Sequence, residues 1–341
     1  HVYAPHRAYT STIEIHENFA LIQMSSSQKH QFYKLHFKKQ NLNSSFPRYW
    51  TPPWKINQAR DKNFPLKNVH IAIDPGHIGG DYAQMEERWY QMEGGIPIRE
   101  GVMTLEVAKL LQISLTQQGA RVSLVRDKNE PLTIKRPKDF INKATSYLQS
   151  KGRLLTPDSI KWHSERLFYV NSEIRARAQL INETLKPDLV LCLHFNAEAW
   201  GNPDMPDFVE KNHFHVLING CYSEEELDQD DQRYEMLLKL LQRTYYYELG
   251  LAEKVSISMK QALRLPPFLY KGANAKSVNS NSYLWARNLL ANRLYACPVI
   301  FLEPYVMNNK EVYERVQEGL YEGEKPIGGR LRKSIYYEYA D

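Results

Sequence analysis

Three short apolar runs in this chain stop abruptly at residues able to do chemistry, and that pattern restricts the fold more than any other feature. Val69-His70-Ile71-Ala72-Ile73 ends at Asp74-Pro75-Gly76-His77, Leu189-Val190-Leu191-Cys192-Leu193 ends at His194-Phe195-Asn196, and Val299-Ile300-Phe301-Leu302 ends at Glu303-Pro304. Short runs of this kind, rich in β-branched residues and closed by turn residues, read as strands buried on both faces. Arg121-Val122-Ser123-Leu124-Val125-Arg126 and Phe214-His215-Val216-Leu217-Ile218 read as further strands. Between them lie amphipathic segments. Val102, Leu105, Val107, Ala108, Leu110, Leu111 and Leu115 keep helical spacing, and Gly119 follows as a terminator. Ile174, Ala178, Leu180, Ile181 and Leu185 do the same ahead of Pro187. Further helices are expected near 231–249, 257–264 and 283–292. Strands alternating with helices predict an α/β fold, with a mostly parallel sheet and helices on both faces.

The 341 residues are enough for about two average domains. Mean hydropathy is −0.55, and no stretch approaches the roughly 18 apolar residues of a membrane helix, which argues against a membrane-spanning channel or transporter. The net charge of +5 is uneven. Residues 1–66 hold nine Lys/Arg against three Asp/Glu, whereas the remainder is close to neutral. That segment reads as a basic N-terminal extension. It contains strand-like alternation at 12–22 and 32–37, then a proline- and aromatic-rich linker at 46–54. A basic arm suits a polyanion (nucleic acid, an anionic membrane face or an anionic wall polymer) or is a solvated segment with no partner. Residues 67–341 read as the main domain, with insertions near 127–166, which lacks any clear period, and near 198–270. Three cysteines cannot form a disulfide framework, and Cys192 and Cys297 sit in apolar runs as small buried residues. The chain opens on His1 rather than methionine, so removal of a leader upstream is expected.

In open α/β sheets ligands bind beyond the carboxyl ends of the strands. His77, His194 and Glu303 all leave such ends, so they are expected to converge on one edge. Two histidines and a glutamate form a recurring catalytic zinc set, and a further carboxylate is needed beside the attacking water. The candidates are His77, Glu100, His194 and Glu303. A lone histidine at a strand end is more often structural, and it is the joint placement that singles these out. A carboxylate at the end of an apolar strand is costly to bury alone, so Glu303 reads as part of a site. Asp74 reads as a turn cap, Arg177 as the partner of an acid, and His213 with His215 as a surface pair in preference to part of the site.

At this point the chain resembles a known family. Asp74-Pro75-Gly76-His77 with Gly79-Gly80-Asp81, the register Glu100-x-x-x-Thr104-Leu105-x-x-Ala108, Arg177 to Asn182 leading into His194-Phe195-Asn196-Ala197, and Glu303 followed by Asn309 are similar, in order, to the motifs of the zinc-dependent N-acetylmuramoyl-L-alanine amidases of the Amidase_3 type. The resemblance covers roughly residues 67–320. It implies Zn2+ as cofactor, with His77, Glu100 and His194 as its ligands and Glu303 as the catalytic glutamate. Asn196, two residues past His194, is expected to hydrogen-bond the substrate or a supporting group. The implied reaction is hydrolysis of the amide between N-acetylmuramic acid and L-alanine in peptidoglycan, for wall remodelling or daughter-cell separation. The implied location is periplasmic or extracellular. The alternatives are another zinc peptidase acting on the stem peptide, or a non-catalytic wall-binding protein. The expected partners are peptidoglycan, a protein activator, and an anionic wall or membrane surface for residues 1–66, with no nucleic acid. Some relatives carry an acidic helix that occupies the zinc until an activator removes it, and the acidic stretch 223–231 is a candidate for that role. Ile78, Gly101, Leu191-Cys192-Leu193 and Pro304-Tyr305 depart from the family pattern.

Overall fold

The computed structural model describes residues 2–3, 13–23, 31–36, 48–56, 61–202 and 205–341. The extension contributes a three-stranded antiparallel meander, β1 (Ile13–Ile15), β2 (Phe19–Gln23) and β3 (Phe32–His36). Phe37 and the Phe46-Pro47 start of the expected linker lie outside the described residues. The main domain is built on seven strands: β4 (His70–Pro75), β5 (Arg121–Leu124), β6 (Leu189–Leu193), β7 (Phe214–Asn219), β8 (Ala275–Ser277), β9 (Leu284–Arg287) and β10 (Val299–Pro304). Their spatial order is β8-β9-β7-β10-β6-β4-β5. The pairs β4/β5, β4/β6, β6/β10 and β7/β9 are parallel, and β7/β10 and β8/β9 are antiparallel. The expected mostly parallel sheet is present, with β7 and β9 reversed against the four strands beside them.

The strands are apolar throughout because both faces are covered. Alternate residues point opposite ways. Ile71, Ile73, Leu193, Val216, Ile218, Ile300 and Leu302 pack with α1 (Glu100–Gln117) and the carboxyl-terminal helix Ile335–Ala340. Ala72, Val190, Cys192, Leu217, Val299 and Phe301 pack on the other side with Ala178, Ile181, Leu294 and Trp50. Trp50 is buried in that core, so the linker straps the domain. The three cysteines are free and buried. Among the described residues no helix is long and apolar enough to cross a membrane.

Three readings of the chain need correction. Residues 127–166 hold two helices, α2 (Ile141–Ser150) and α3 (Pro157–Arg166). Thr156 caps α3 through a reciprocal pair with Ser159, so the start signal was present without a long apolar stripe beside it. The expected helix near 283–292 is strand β9 followed by the short helix α7 (Leu290–Leu294). Four residues of alternation are too few to separate a strand from a helix by period. The helix expected near 231–249 is broken at Arg243, whose φ of 57° ends α5 (Asp230–Gln242) and starts α6 (Thr244–Leu263); α4 is Glu173–Gln179.

Between α5 and α6 lies a fully buried ion pair. Lys239 Nζ is 3.5 Å from Glu248 Oε1 and donates to the carbonyl of Cys297. Glu248 accepts from the backbone of Val299, the first residue of β10. Burial raises the Glu248 carboxyl above the usual range, and Lys239 opposes that rise. Removing one member strands the other charge, which costs about 3–5 kcal/mol, whereas neutralising both is far milder. Lys239→Met is therefore expected to lower unfolding free energy by about that amount. Lys239→Met combined with Glu248→Gln is expected to recover most of the loss, as read by urea unfolding.

Candidate active site

The carboxyl ends of β4, β6 and β10 lie side by side, and a cavity of about 860 Å³ opens above them. The chain leaves β4 through a tight turn. His77 has φ 60° and Gly79 φ 79°, so the bend falls on either side of Ile78, which is itself fully buried. Two arginines hold this turn by its carbonyls. Arg177 donates to Pro75 O (2.8 Å) and His77 O (2.8 Å), and Arg126 donates to Pro75 O (3.1 Å) and Gly76 O (3.0 Å). Arg177 is itself paired with Asp74 at 2.7 Å and Glu173 at 2.9 Å. The expected acidic partner of Arg177 is thus present. Asp74 is not a turn cap, however, because its carboxylate binds Arg177 and the Tyr295 hydroxyl. Glu86 accepts from the backbone of Ile78 and Gly79 and lies 3.6 Å from His77 Nδ1.

Glu100 is the first residue of α1 and is 1% exposed. One carboxylate oxygen lies 3.2 Å from His77 Nε2, and the other lies 3.0 Å from His194 Nδ1 and accepts from Phe195 N–H. Arg88 approaches the first oxygen at 3.2 Å. Donor atoms of His77, Glu100 and His194 all fall within 4.8 Å of one another. Tetrahedral zinc with bonds of about 2.0–2.1 Å separates its ligand atoms by roughly 3.3 Å. Glu100 reaches the two rings through different oxygens, at 3.2 Å and 3.0 Å, so two imidazoles and a carboxylate suit that ion in kind and lie close to its spacing. Burial disfavours a charged His77 ring, yet Glu100 and Glu86 outweigh it and raise its pKa to about 9. This corner of the cavity strongly favours a cation.

Glu303 is the next-to-last residue of β10, and Leu302 pairs with Leu193, so Glu303 and His194 stand at neighbouring strand ends. Burial raises its carboxyl, but the hydrogen bond with His215 and the nearby Arg287 guanidinium more than reverse this and hold it below the usual carboxylate range. His215 Nε2 lies 2.9 Å from Glu303 Oε2. His213 and His215 are not a surface pair, being 6% and 1% exposed. The direction of β7 explains the error. Because β7 runs against β10, its first residues lie at the site edge, and His215 is the register partner of Glu303. The alternation His213-x-His215 was the available signal, but strand direction is not written in a single run. Asn196 also lines the cavity. Its Oδ1 accepts from Ala197 N–H and its Nδ2 lies 3.3 Å from Nδ1 of both His213 and His215, so the amide is engaged by protein groups. Glu198, Ala199 and Trp200, at the start of the insertion near 198–270, also line the cavity. Pro203 and Asp204 of that insertion lie outside the described residues.

The acidic stretch 223–231 does not reach the site. It follows the far end of β7, Glu226 is bound to Arg293 at 3.1 Å, and none of its residues lines the cavity. Its expected role as a zinc-occupying plug has no geometric support.

Residues 71–324 match the family described as N-acetylmuramoyl-L-alanine amidase. A stretch of 147 residues, 42% of this chain, is 27% identical to the "Probable cell wall amidase LytH" of Staphylococcus saprophyticus. That alignment spans 47% of the relative, about half its length. Among solved structures, apo Ami1, an N-acetylmuramyl-L-alanine amidase from Mycobacterium abscessus, is 17% identical over 80% of this chain and 94% of its own, with a TM-score of 0.40. The CwlD amidase from Clostridioides difficile, in complex with the GerS lipoprotein, is 13% identical over 80% and 92%, with a TM-score of 0.41.

The approach of β4 to His194 is testable. A Cβ on Gly76 would lie 2.4–2.6 Å from three atoms of the His194 ring, so that ring must move. Gly76→Ala is expected to displace the His194 ring and so to weaken any metal-ion binding by the His77, Glu100 and His194 group about tenfold or more. Chelator competition would measure it, with far-UV circular dichroism unchanged.

Proposed function

The chain belongs to the N-acetylmuramoyl-L-alanine amidase family, and from that membership we propose that it hydrolyses the amide joining the lactyl group of N-acetylmuramic acid to L-alanine in peptidoglycan. The observation that carries this reading is the meeting of His77, Glu100 and His194 with Glu303 around one cavity. Residues 67–341 form the catalytic unit in this reading, and residues 1–66 an extension available to an anionic wall or membrane surface. The substrate places the reaction outside the cytoplasm, in wall remodelling or the separation of daughter cells.

His77, Glu100 and His194 are the residues that would hold Zn2+. The bound ion would polarise the scissile carbonyl and lower the pKa of water toward about 7. Glu303, ionised across the neutral range, accepts the proton of the attacking water. It then returns that proton to the departing amine of L-alanine, so one C–N bond breaks, one C–O bond forms, and the carboxylate is regenerated. Arg177 and Arg126 fix the turn that carries His77 and take no proton.

Mass spectrometry of products from purified peptidoglycan tests the proposal. Free stem peptides with a new L-alanine amine, abolished by chelator and restored by zinc, are the expected result. Cleavage within the stem would make the protein a different zinc peptidase, and no cleavage with zinc bound would make it a binding protein. Glu303→Ala is expected to retain zinc while turnover falls about 10²–10⁴-fold.

A further inference from the structure

One hydrogen-bond chain behind Glu303 has a proton assignment that follows from geometry. It begins at Asn196. Ala197 N–H donates to one end of the Asn196 side chain at 2.7 Å, which makes that end the carbonyl oxygen. The other end is then the NH2 group, and its two hydrogens face two ring nitrogens, Nδ1 of His213 and Nδ1 of His215, each at 3.3 Å. A nitrogen that receives an N–H carries no proton. Both rings are then neutral and hold their proton on Nε2. Each Nε2 in turn faces a carboxylate. His213 Nε2 is 3.1 Å from Glu198 Oε1, and His215 Nε2 is 2.9 Å from Glu303 Oε2. The hydroxyl of Tyr270, which accepts from Arg287, also lies 2.8 Å from His215 Nε2 and flanks the same proton. The ring is packed between Phe268 and Tyr270.

We propose that Asn196 and His215 are positioning residues for Glu303: the Asn196 amide fixes His215 in its Nε2–H form, and that N–H holds Glu303 Oε2 while Oε1 is left for the reacting water. The proposal rests on the reading of Glu303 as the base. It also changes the part expected of Asn196, from substrate contact to support of the base. A carboxylate that must take a proton and give it back gains from being held by one oxygen only. A freely rotating carboxylate would present either oxygen, in many orientations, to the water. The reversed direction of β7 makes this possible, since it places His215 directly across from Glu303 in the sheet.

The test uses the full chain with zinc, labelled with 15N-histidine, and long-range 1H–15N correlation spectra. His213 and His215 are expected to be neutral with an unprotonated Nδ1, their resonances assigned through His213→Gln and His215→Gln. Asn196→Asp substitutes an acceptor for the donor and is expected to place a proton on Nδ1. The same variant is expected to lower kcat about 10–100-fold with KM little changed. His215→Gln keeps an N–H donor and is expected to retain several-fold more kcat than His215→Leu. A protonated Nδ1 in the unmodified protein, an unchanged tautomer in Asn196→Asp, or a rise in KM alone would overturn the proposal. The spectra need no substrate. Loss of the amidase reading would leave the tautomer standing, and a wrong tautomer would leave the amidase reading intact. Should Asn196→Asp not fold, the spectrum of the unmodified protein and the two His215 variants decide the matter.

Discussion

Arg177 carries a positive charge with 1% of its surface exposed, and the site is assembled around it. An arginine so placed must have every donor engaged and its charge matched. Asp74 and Glu173 supply the charge, and the carbonyls of Pro75 and His77 supply the remaining acceptors. The two acids come from β4 and α4, so the guanidinium ties the sheet to the helix covering it. Through the two carbonyls it also holds the turn in which His77 adopts a left-handed backbone. A side chain other than glycine in that region is costly on its own, and it persists only where neighbours over-determine it. Here Arg177, Arg126 and Glu86 grip the turn from three sides. The position of His77 is thus set by buried charge as much as by local sequence.

The departures from the family pattern acquire reasons in this frame. Gly101 is one of these departures, and a Cβ there would lie 2.4 Å from the backbone nitrogen of Gly79. The turn and the start of α1 are pressed together in this chain, and only glycine permits the approach. Ile78 is another, and its backbone needs no left-handed conformation while its side chain is buried. Tyr305 is different. It sits at φ 61°. Its hydroxyl donates to Glu338 at 2.6 Å, and Glu338 is held by Arg315. The strain at Tyr305 is offset by a contact with the final helix that a glycine could not make.

How much of this could be read from the sequence depends on what each residue needs. Buried strands closed by turn residues announce themselves because their pattern is local, so β4, β6 and β10, and with them His77, His194 and Glu303, were legible. Glu100 was singled out by the family resemblance, through its register with Thr104, Leu105 and Ala108, and not by periodicity. His215 was not, since its role depends on β7 running antiparallel beside β10, which pairs it with Glu303, 88 residues further along the chain. Glu86 was missed for a similar reason, as a carboxylate that serves two backbone amides leaves no periodic trace. Asp74 was misassigned because a turn-capping acid and a buried ion-pair acid look alike until the arginine is in place.

The extension adds a geometric consequence. Cys221 and Tyr222, just past the far end of β7, donate their backbone N–H groups to the carbonyls of Val2 and Tyr3. The near end of β7 carries His215, paired in the sheet with Glu303, which lines the cavity. Residues 2–3 are therefore seated at one pole of the sheet and the cavity opens at the other, with a single strand running between them. A body held through residues 2–3 would turn the mouth of the cavity outward, like a tool gripped by its handle.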